Sequence, residues 1–168
     1  MKNKIILVTG TSSGIGKSII QTLNKKNCKI IATSRKKINK NTKNIYFLNL
    51  DVTNEDQWKE TIYFIKKKFG KLDVLINNAG IRISGNIENT STKLWDKIIN
   101  TNLTSIFLGC KYAVPLLKKS KKASIVNLAS ITSIRGVTNM IAYASSKGAI
   151  VTFTASLALD LAKHGIRV

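Results

Sequence analysis

Short apolar stretches alternate along the chain with longer segments in which apolar residues recur at helical spacing. The short stretches are rich in β-branched residues and are bounded by turn-forming residues, a pattern typical of buried strands. We expect five strands, near residues 4–9, 29–33, 44–50, 74–77 and 124–128. We expect four helices, near residues 14–26, 54–69, 92–119 and 141–164. Thr53, with Asp56 three residues later, and Ser91 are suited to cap the second and third of these helices.

The alternation of strands and helices predicts an α/β fold. Strands joined through helices lie parallel, and right-handed crossovers place the helices on both faces of the sheet. We therefore expect a doubly wound parallel sheet of Rossmann type with three layers, formed as a single domain by residues 1–168. Residues 165–168 have the pattern of a further strand, so we expect the sheet to be incomplete at its C-terminal edge.

The composition is that of an ordinary globular domain, with 43% hydrophobic and 21% charged residues among 168. No apolar run is long enough to cross a bilayer, so we expect no membrane partner. The two cysteines, Cys28 and Cys110, have neither metal-ligand nor redox spacing. We therefore expect no metal site, and a reducing cytoplasm as the location of the protein.

The formal net charge of +20 is high for such a domain. A nucleic-acid binder is one interpretation, because clustered lysines release counterions from phosphate backbones. We favour a general bias in residue usage, since the lysines accompany many asparagines and isoleucines and are spread along the chain. Most lie where helices should end, and there they interact favourably with the helix dipole. We therefore expect no nucleic-acid partner, although a positive field would help to attract an anionic dinucleotide.

A glycine-rich turn follows the first predicted strand directly. Residues 9–16 read TGTSSGIG and lead into a helical segment, so the glycines have the spacing G-x-x-x-G-x-G. Glycine lets the backbone approach a pyrophosphate closely, and the helix N-terminus offers unpaired N–H groups. A triphosphate-binding P-loop is excluded, because Thr11 stands where its first glycine would have to be.

Tyr143 and Lys147 lie four residues apart in the last predicted helix and share one of its faces. A lysine ammonium about 4 Å from a phenol would lower the phenol's pKa by about three units at an effective dielectric near 20. Ser130 follows a predicted strand at its carboxyl end, where open α/β sheets bind ligands. These three residue types could serve acid–base chemistry on a bound small molecule.

Taken together, the motifs resemble the classical short-chain dehydrogenase/reductase family along essentially the whole chain. The matching stretches are residues 9–16, Asp51-Val52, Asn77-Asn78-Ala79-Gly80, Asn100-Thr101-Asn102-Leu103, Ser130 and Tyr143-Ala144-Ser145-Ser146-Lys147. Thirteen residues separate Ser130 from Tyr143, an offset that also fits the family.

The resemblance implies catalytic roles for four residues. Tyr143 would be the general acid in carbonyl reduction and the base in the reverse direction. Lys147 would lower the pKa of Tyr143 and hydrogen-bond the nicotinamide ribose. Ser130 would hold and polarise the substrate oxygen. Asn102, placed by a bend in its long helix, would anchor a water that relays protons to Lys147; we choose it over Asn100 because Leu-Thr follows it.

The resemblance also implies a set of cofactor-binding residues. The turn would hold the pyrophosphate, Asp51 and Val52 would contact the adenine, and the loop after the fourth strand would lie beside the adenosine ribose. The expected set is Gly10, Ser12, Ser13, Gly14, Ile15, Gly16, Ser34, Arg35, Asp51, Val52, Asn78, Ala79, Gly80, Tyr143 and Lys147.

The residues after the second strand distinguish the two nicotinamide cofactors. A carboxylate there suits the 2′-hydroxyl of NAD(H), whereas an arginine suits the 2′-phosphate of NADP(H). The chain reads Thr33-Ser34-Arg35-Lys36-Lys37, with three cations and no carboxylate. We therefore expect NADP(H) to be preferred, with Ser34 and Arg35 on the 2′-phosphate, while NAD(H) stays possible.

Family members continue beyond the position of Val168 into a mobile substrate lid and a last edge strand, so we expect this chain to be a C-terminally truncated fragment. Because specificity depends heavily on that lid, the expected substrate is defined only as a secondary alcohol or ketone. The resemblance further implies a homo-oligomer, a tetramer or dimer. The alternative to an active enzyme is a truncated, inactive dinucleotide-binding remnant or interaction protein.

Overall fold

All five expected strands are present and lie parallel in one sheet. The computed structural model describes residues 3–36 and 41–168. The strands are β1 (Ile5–Thr9), β2 (Lys29–Ser34), β3 (Ile45–Asn49), β4 (Val74–Asn77) and β5 (Ser124–Asn127). Their order in the sheet is β3-β2-β1-β4-β5. The chain therefore reverses direction across the sheet after β3, as a doubly wound topology requires.

The helices are α1 (Gly14–Asn24), α2 (Glu55–Phe69), α3 (Thr92–Ile99), α4 (Ser105–Leu117) and α5 (Ile141–Ala162). The expected single helix over residues 92–119 is interrupted, because a π-helical turn (Asn100–Thr104) separates α3 from α4. A short 3₁₀ turn (Ile131–Ser133) follows β5.

Alternate side chains of the strands pack on opposite faces of the sheet, as expected for a strand buried on both sides. On one face, Leu7 of β1 belongs to a core cluster with Trp58 of α2 and Ile106 of α4. On the other face, Val8 packs in a second cluster with Ile20 of α1. The expected three-layer arrangement is therefore confirmed.

The start of α2 differs from the expectation. Thr53 is not the capping residue; Asn54 is, and its side chain accepts a hydrogen bond from the backbone N–H of Gln57. Thr53 instead donates from its hydroxyl to the Asp51 carboxylate at 2.8 Å. The expectation for the third helix is confirmed, because the Ser91 hydroxyl accepts from the N–H of Leu94.

Residues 165–168 begin to extend the sheet beside β5. Arg167 forms a parallel bridge with Ser124, and the N–H of Ile125 donates to the Arg167 carbonyl at 2.8 Å. Ile166 is buried in the core cluster that also contains Ile125. The strand pattern expected for these residues therefore corresponds to a parallel pairing at the β5 edge.

Candidate active site

The carboxyl ends of the strands open onto a cavity of about 650 Å³. Most of the residues expected to bind a cofactor line it, namely Gly10, Ser12, Ser13, Ile15, Gly16, Ser34, Arg35, Asp51, Val52, Asn78, Ala79 and Gly80. Gly14, Tyr143 and Lys147 do not. Gly14 lies instead in a more open apolar cavity beside α1, together with Ile19 and Ile76.

The glycine turn is packed tightly against the loop that follows β4. Gly10 has φ +69°, and a Cβ atom there would lie 2.8 Å from the Cα atom of Ala79. A Cβ atom on Gly16 would lie 2.2 Å from the Gly10 carbonyl oxygen. Gly14 has φ +52° with open space around it. Two of the three glycines are therefore required by close contact, and the third by its backbone conformation.

Hydrogen bonds fix this turn to the β4 loop. The side-chain amide of Asn78 donates to the carbonyl oxygens of Thr9 and Gly10 at 2.8 and 3.0 Å. The Thr9 hydroxyl accepts from the backbone N–H groups of Asn78 and Ala79, each at 3.0 Å. Asn78 therefore has a structural role in shaping the cavity wall.

The charge lining the cavity is mainly positive. The lining cations are Arg35, Lys36 and Lys97, and the only lining carboxylate in the described part of the chain is Asp51. The Asp51 carboxylate is held by the N–H and the hydroxyl of Thr53, at 3.0 and 2.8 Å. An anionic ligand is therefore favoured over a cationic one.

Tyr143 and Lys147 lie one turn apart at the start of α5. The Lys147 side chain is buried, and its Nζ atom lies 5.8 Å from the centroid of the Tyr143 ring. That ammonium donates to the carbonyl oxygen of Leu128, just after β5, at 2.6 Å. Burial lowers the pKa of Lys147. The expected pair is therefore brought together at the carboxyl edge of the sheet.

Ser130 caps the 3₁₀ turn and is tied to α5 through Ser133, which lies outside the expected catalytic set. The Ser130 hydroxyl accepts from the N–H of Thr132 at 3.2 Å. The Ser133 hydroxyl accepts from the N–H of Ser130 at 3.2 Å and donates to the carbonyl oxygen of Lys147 at 2.9 Å. Ser133 thus sets the position of Ser130 relative to Lys147.

Asn102 lies in the π-helical turn and is buried. Its side chain accepts from the N–H of Ile81 at 2.8 Å and donates to the Ile81 carbonyl at 3.0 Å. Its amide also donates to the Ser146 hydroxyl, which donates in turn to the carbonyl of Tyr143 at 2.7 Å. Asn100, in contrast, is exposed and lines the cavity. The structure thus separates the two asparagines that the sequence left ambiguous.

The cavity also has lining residues that lie outside the expected cofactor-binding set: Lys36, Leu50, Thr53, Ile81, Lys97, Asn100 and Thr101. Most of them adjoin an expected residue in the chain, and that proximity is the signal that could have found them. Lys97 has no such signal, because its place in the wall depends on how α3 approaches the sheet.

Within residues 3–36 and 41–168, no group of three or more His, Cys, Asp or Glu side chains could hold a metal ion. None of the helices described is both long enough and apolar enough to cross a membrane.

Comparison with known proteins gives consistent matches. The family model described as short chain dehydrogenase matches residues 4–168. Cyclopentanol dehydrogenase from Comamonas sp. (strain NCIMB 9872) is 34% identical, over 100% of this chain and 71% of that protein. Ligand-free aldohexose dehydrogenase from Thermoplasma acidophilum has a TM-score of 0.93 and 37% identity, covering 99% of this chain and 64% of that one.

A solved structure of ElxO with NADP bound has a TM-score of 0.90 and 37% identity, and the match covers 100% of this chain and 71% of that one. The chain thus spans about two thirds of the length of the aldohexose dehydrogenase chain and 71% of the ElxO chain. The family match covers nearly the whole of the present chain, and the fold and the order of its motifs agree with it. The chain therefore belongs to the short chain dehydrogenase family of oxidoreductases.

Proposed function

We propose that the protein is an NADP(H)-dependent oxidoreductase that interconverts a secondary alcohol and a ketone, with its cofactor site and catalytic residues in one domain formed by residues 1–168. The observation that carries this proposal is the pairing of Tyr143 with a buried Lys147 at the carboxyl edge of the sheet. A phenol held beside a buried ammonium at the ligand-binding edge is placed where it could exchange a proton with a bound carbonyl or alcohol, as general acid–base catalysis requires.

The cavity at this edge is suited to a dinucleotide phosphate. The turn between β1 and α1 ends at a helix N-terminus, whose backbone N–H groups suit a pyrophosphate. The absence of Cβ atoms at Gly10 and Gly16 lets this part of the chain pack closely against the β4 loop. Arg35 and Lys36 follow β2, where a 2′-phosphate would be recognised, and no carboxylate is adjacent to them in the chain. The NADP bound to the similar protein ElxO gives independent support. When bound, this cofactor supplies or accepts the hydride.

The chain's own residues would move the proton and orient the substrate. Tyr143 would give its phenolic proton to the carbonyl oxygen during reduction and recover it in oxidation. Lys147 would favour the phenolate electrostatically and bind the cofactor ribose. Ser130 would hold the substrate oxygen. We assign to Asn102 the anchoring of a water that passes protons towards Lys147.

The protein is also proposed to act as a homo-oligomer, a dimer or tetramer. Phe107 of α4 and Val151 of α5 are large apolar side chains that are 48% and 44% exposed. Exposed apolar residues on two helices that pack in the same core cluster support an interface between copies of the chain. The second candidate function is an inactive dinucleotide-binding protein, which the intact glycine turn and basic cavity would serve equally well.

The test compares Tyr143→Phe with the wild-type protein in two assays, NADPH binding by fluorescence titration and carbonyl-dependent NADPH oxidation across a panel of ketones. We expect wild-type turnover to fall by at least about a hundredfold in the variant, because general acid catalysis contributes roughly this much. NADPH affinity should change little. Tyr63→Phe is a matched control, since Tyr63 is 64% exposed on α2.

Each outcome separates the candidates. Binding without turnover in the wild-type protein would favour the inactive dinucleotide-binding protein. Turnover that survives in Tyr143→Phe would exclude the assigned acid. A ratio of NADPH to NADH affinity near one would contradict the proposed cofactor preference.

A further inference from the structure

The end of the sheet opposite the cavity collects lysines that are far apart in the sequence. The strands are parallel and the helices run back between them, so all strand starts and most helix ends meet there. We call this surface the basic end. It consists of Lys4, Lys25, Lys26, Lys29, Lys43, Lys66, Lys67, Lys68, Lys71, Lys118, Lys119, Lys121, Lys122, Lys163 and Arg167.

Contacts between the loops show that these lysines converge. The Nζ atoms of Lys4 and Lys71 lie 3.2 and 3.1 Å from the same Asp73 carboxylate oxygen. Lys4 also donates to the carbonyl oxygen of Lys122, which follows α4, at 3.2 Å. The segments before β1, before β4 and after α4 are therefore adjacent in space.

The same convergence extends to both sides of the sheet. Lys29, at the start of β2, donates from Nζ to the carbonyl oxygen of Lys43 at 3.1 Å. His164, just after α5, has a pKa lowered by partial desolvation and then by the charges of Lys118 and Lys163. The ends of α4 and α5 thus place their cations close together.

The positive charge at this end is poorly compensated. The basic end holds more than half of the chain's 28 lysines and arginines. Of the eight carboxylates, Asp73 is buried beneath this end and already paired, and Asp160 lies near the end of α5. Others lie away from it, and Glu55 and Asp56 are in the first turn of α2, at the cavity end. A separation of charge on this scale attracts polyanions and steers their approach.

We propose that the basic end binds the phosphate backbone of nucleic acid without sequence preference, which reverses the expectation of no nucleic-acid partner drawn from the sequence. The partner is inferred from the kind of cation present, which is lysine at every position except Arg167. Protein interfaces are depleted in lysine and rich in arginine and aromatic residues. Lysine point charges, in contrast, suit phosphates spaced along a strand, where counterion release supplies most of the affinity.

An anionic membrane fits this surface less well. Insertion into a bilayer surface needs exposed apolar anchors beside the cations. Among the described residues, the large apolar side chains that are strongly exposed near this end are limited to Leu159 and Tyr63, on different helices at its margin. Because the cavity lies at the other end of the sheet, the bound strand would leave it accessible.

The test measures binding of a fluorescein-labelled single-stranded RNA of about 20 nucleotides by anisotropy over a range of salt concentrations. We expect log Kd to rise with log salt with a slope of about 3 or more, which corresponds to roughly four or more phosphates at about 0.7 each. The triple variant Lys118→Gln, Lys119→Gln, Lys121→Gln should weaken binding at low salt by roughly tenfold or more and reduce the slope.

The control variant Lys17→Gln, Lys93→Gln, Arg135→Gln removes the same net charge from exposed positions outside the basic end, and it should weaken binding much less. Equal weakening by both variants would overturn the proposal, since net charge alone would then explain the affinity. A salt slope near zero would also overturn it. So would equal affinity for a poly-glutamate of matched charge, or tighter binding to phosphatidylserine vesicles than to RNA, because the partner class would then be wrong.

Discussion

Asn102 and Ser146 connect two parts of the site that are far apart in the sequence. Asn102 fixes the Ile81 backbone after β4 through two hydrogen bonds. The Ser146 hydroxyl accepts a third hydrogen bond from the Asn102 amide and donates one to the carbonyl oxygen of Tyr143. The backbone that carries the proposed acid is therefore tied to the π-helical turn by one fully buried hydroxyl.

Ser146→Ala should lower the free energy of unfolding by about 1–2 kcal/mol, because the Asn102 amide loses a buried partner. The adjacent Ser145 is exposed, so Ser145→Ala serves as a matched control and should change stability by less than about 0.5 kcal/mol. Urea unfolding of the three proteins measures the difference. Equal effects of the two substitutions would show that the Ser146 hydroxyl does not stabilise the site.

Lys97 is a cation of the cavity wall that lies outside the expected cofactor residues. It shares the cavity with Arg35 and Lys36, so an anionic ligand bound there lies within the field of all three. We expect Lys97→Gln to weaken NADPH binding by roughly two- to fivefold, as for an exposed ion pair, and the effect should shrink at high salt.

Lys93→Gln is the control for Lys97, because Lys93 lies one turn earlier on α3, is exposed and does not line the cavity. Its NADPH affinity should match that of the wild-type protein. Fluorescence titration at two salt concentrations checks both variants. A loss of affinity in Lys93→Gln as large as that in Lys97→Gln would indicate an effect of net charge rather than of the cavity wall.

Among the single elements, the sequence predicted correctly those whose position depends on a local pattern of apolar and turn-forming residues. The strands were found within one or two residues, because each is a short apolar run bounded by turn residues. The interruption between α3 and α4 was not expected from periodicity, since a π-helical turn adds one residue without altering the apolar pattern greatly. Ser146 could not be assigned, because the Asn102 amide that bonds it comes from another element, and Lys97 could not, because the rest of the cavity wall comes from other elements.

The start of α2 also shows that the sequence pattern does not fix which of two adjacent residues caps a helix. Thr53 and Asn54 are both good capping types, and sequence spacing alone favoured Thr53. The structure assigns the cap to Asn54, because the Asp51 carboxylate holds the Thr53 hydroxyl at 2.8 Å. The choice thus depends on a loop conformation that sequence spacing does not specify.

Asn54→Ala should therefore lower the free energy of unfolding by about 1 kcal/mol, the usual cost of losing an N-cap. Thr53→Ala removes only an exposed hydrogen bond and should cost less than about 0.5 kcal/mol. Thermal or urea unfolding of both variants distinguishes them. A larger loss of unfolding free energy in Thr53→Ala than in Asn54→Ala would indicate that Thr53 is the capping residue.

Over the whole molecule, the parallel topology brings lysines that are spread along the sequence together on one surface. Lysine pairs and triplets that looked evenly spread along the chain lie together at the basic end, because most of the helices end there. The net charge alone could not reveal this, since it carries no information about position. The proposed cofactor cavity lies at the opposite edge, so the two surfaces can be tested separately.

Asp73 is the buried carboxylate of the basic end. Burial by itself would raise its pKa, but hydrogen bonds from the Ser120 hydroxyl, the Ile5 N–H and the ammonium groups of Lys71 and Lys4 lower the pKa to about 2. A carboxyl with a lowered pKa stabilises the folded state above its unfolded pKa of 3.8. That contribution is lost as the pH falls from about 5 towards 2.

Asp73→Asn should be less stable than the wild-type protein at pH 7, and the difference should shrink by about 2 kcal/mol between pH 5 and pH 2. The reason is that Asp73 takes up a proton at a higher pH in the unfolded chain than in the folded protein, whereas the amide does not titrate. Urea unfolding at closely spaced pH values gives the free energy of unfolding as a function of pH for the wild-type protein and for Asp73→Asn. Asp56→Asn is the control, since Asp56 is exposed and pairs with Lys59 at the surface, where an ion pair contributes about 1 kcal/mol or less, so its effect on stability should be smaller than that of Asp73→Asn at pH 7. A difference between Asp73→Asn and the wild-type protein that stays constant down to pH 2 would mean that Asp73 titrates normally. The ammonium groups around it would then contribute no net stabilisation of its charge.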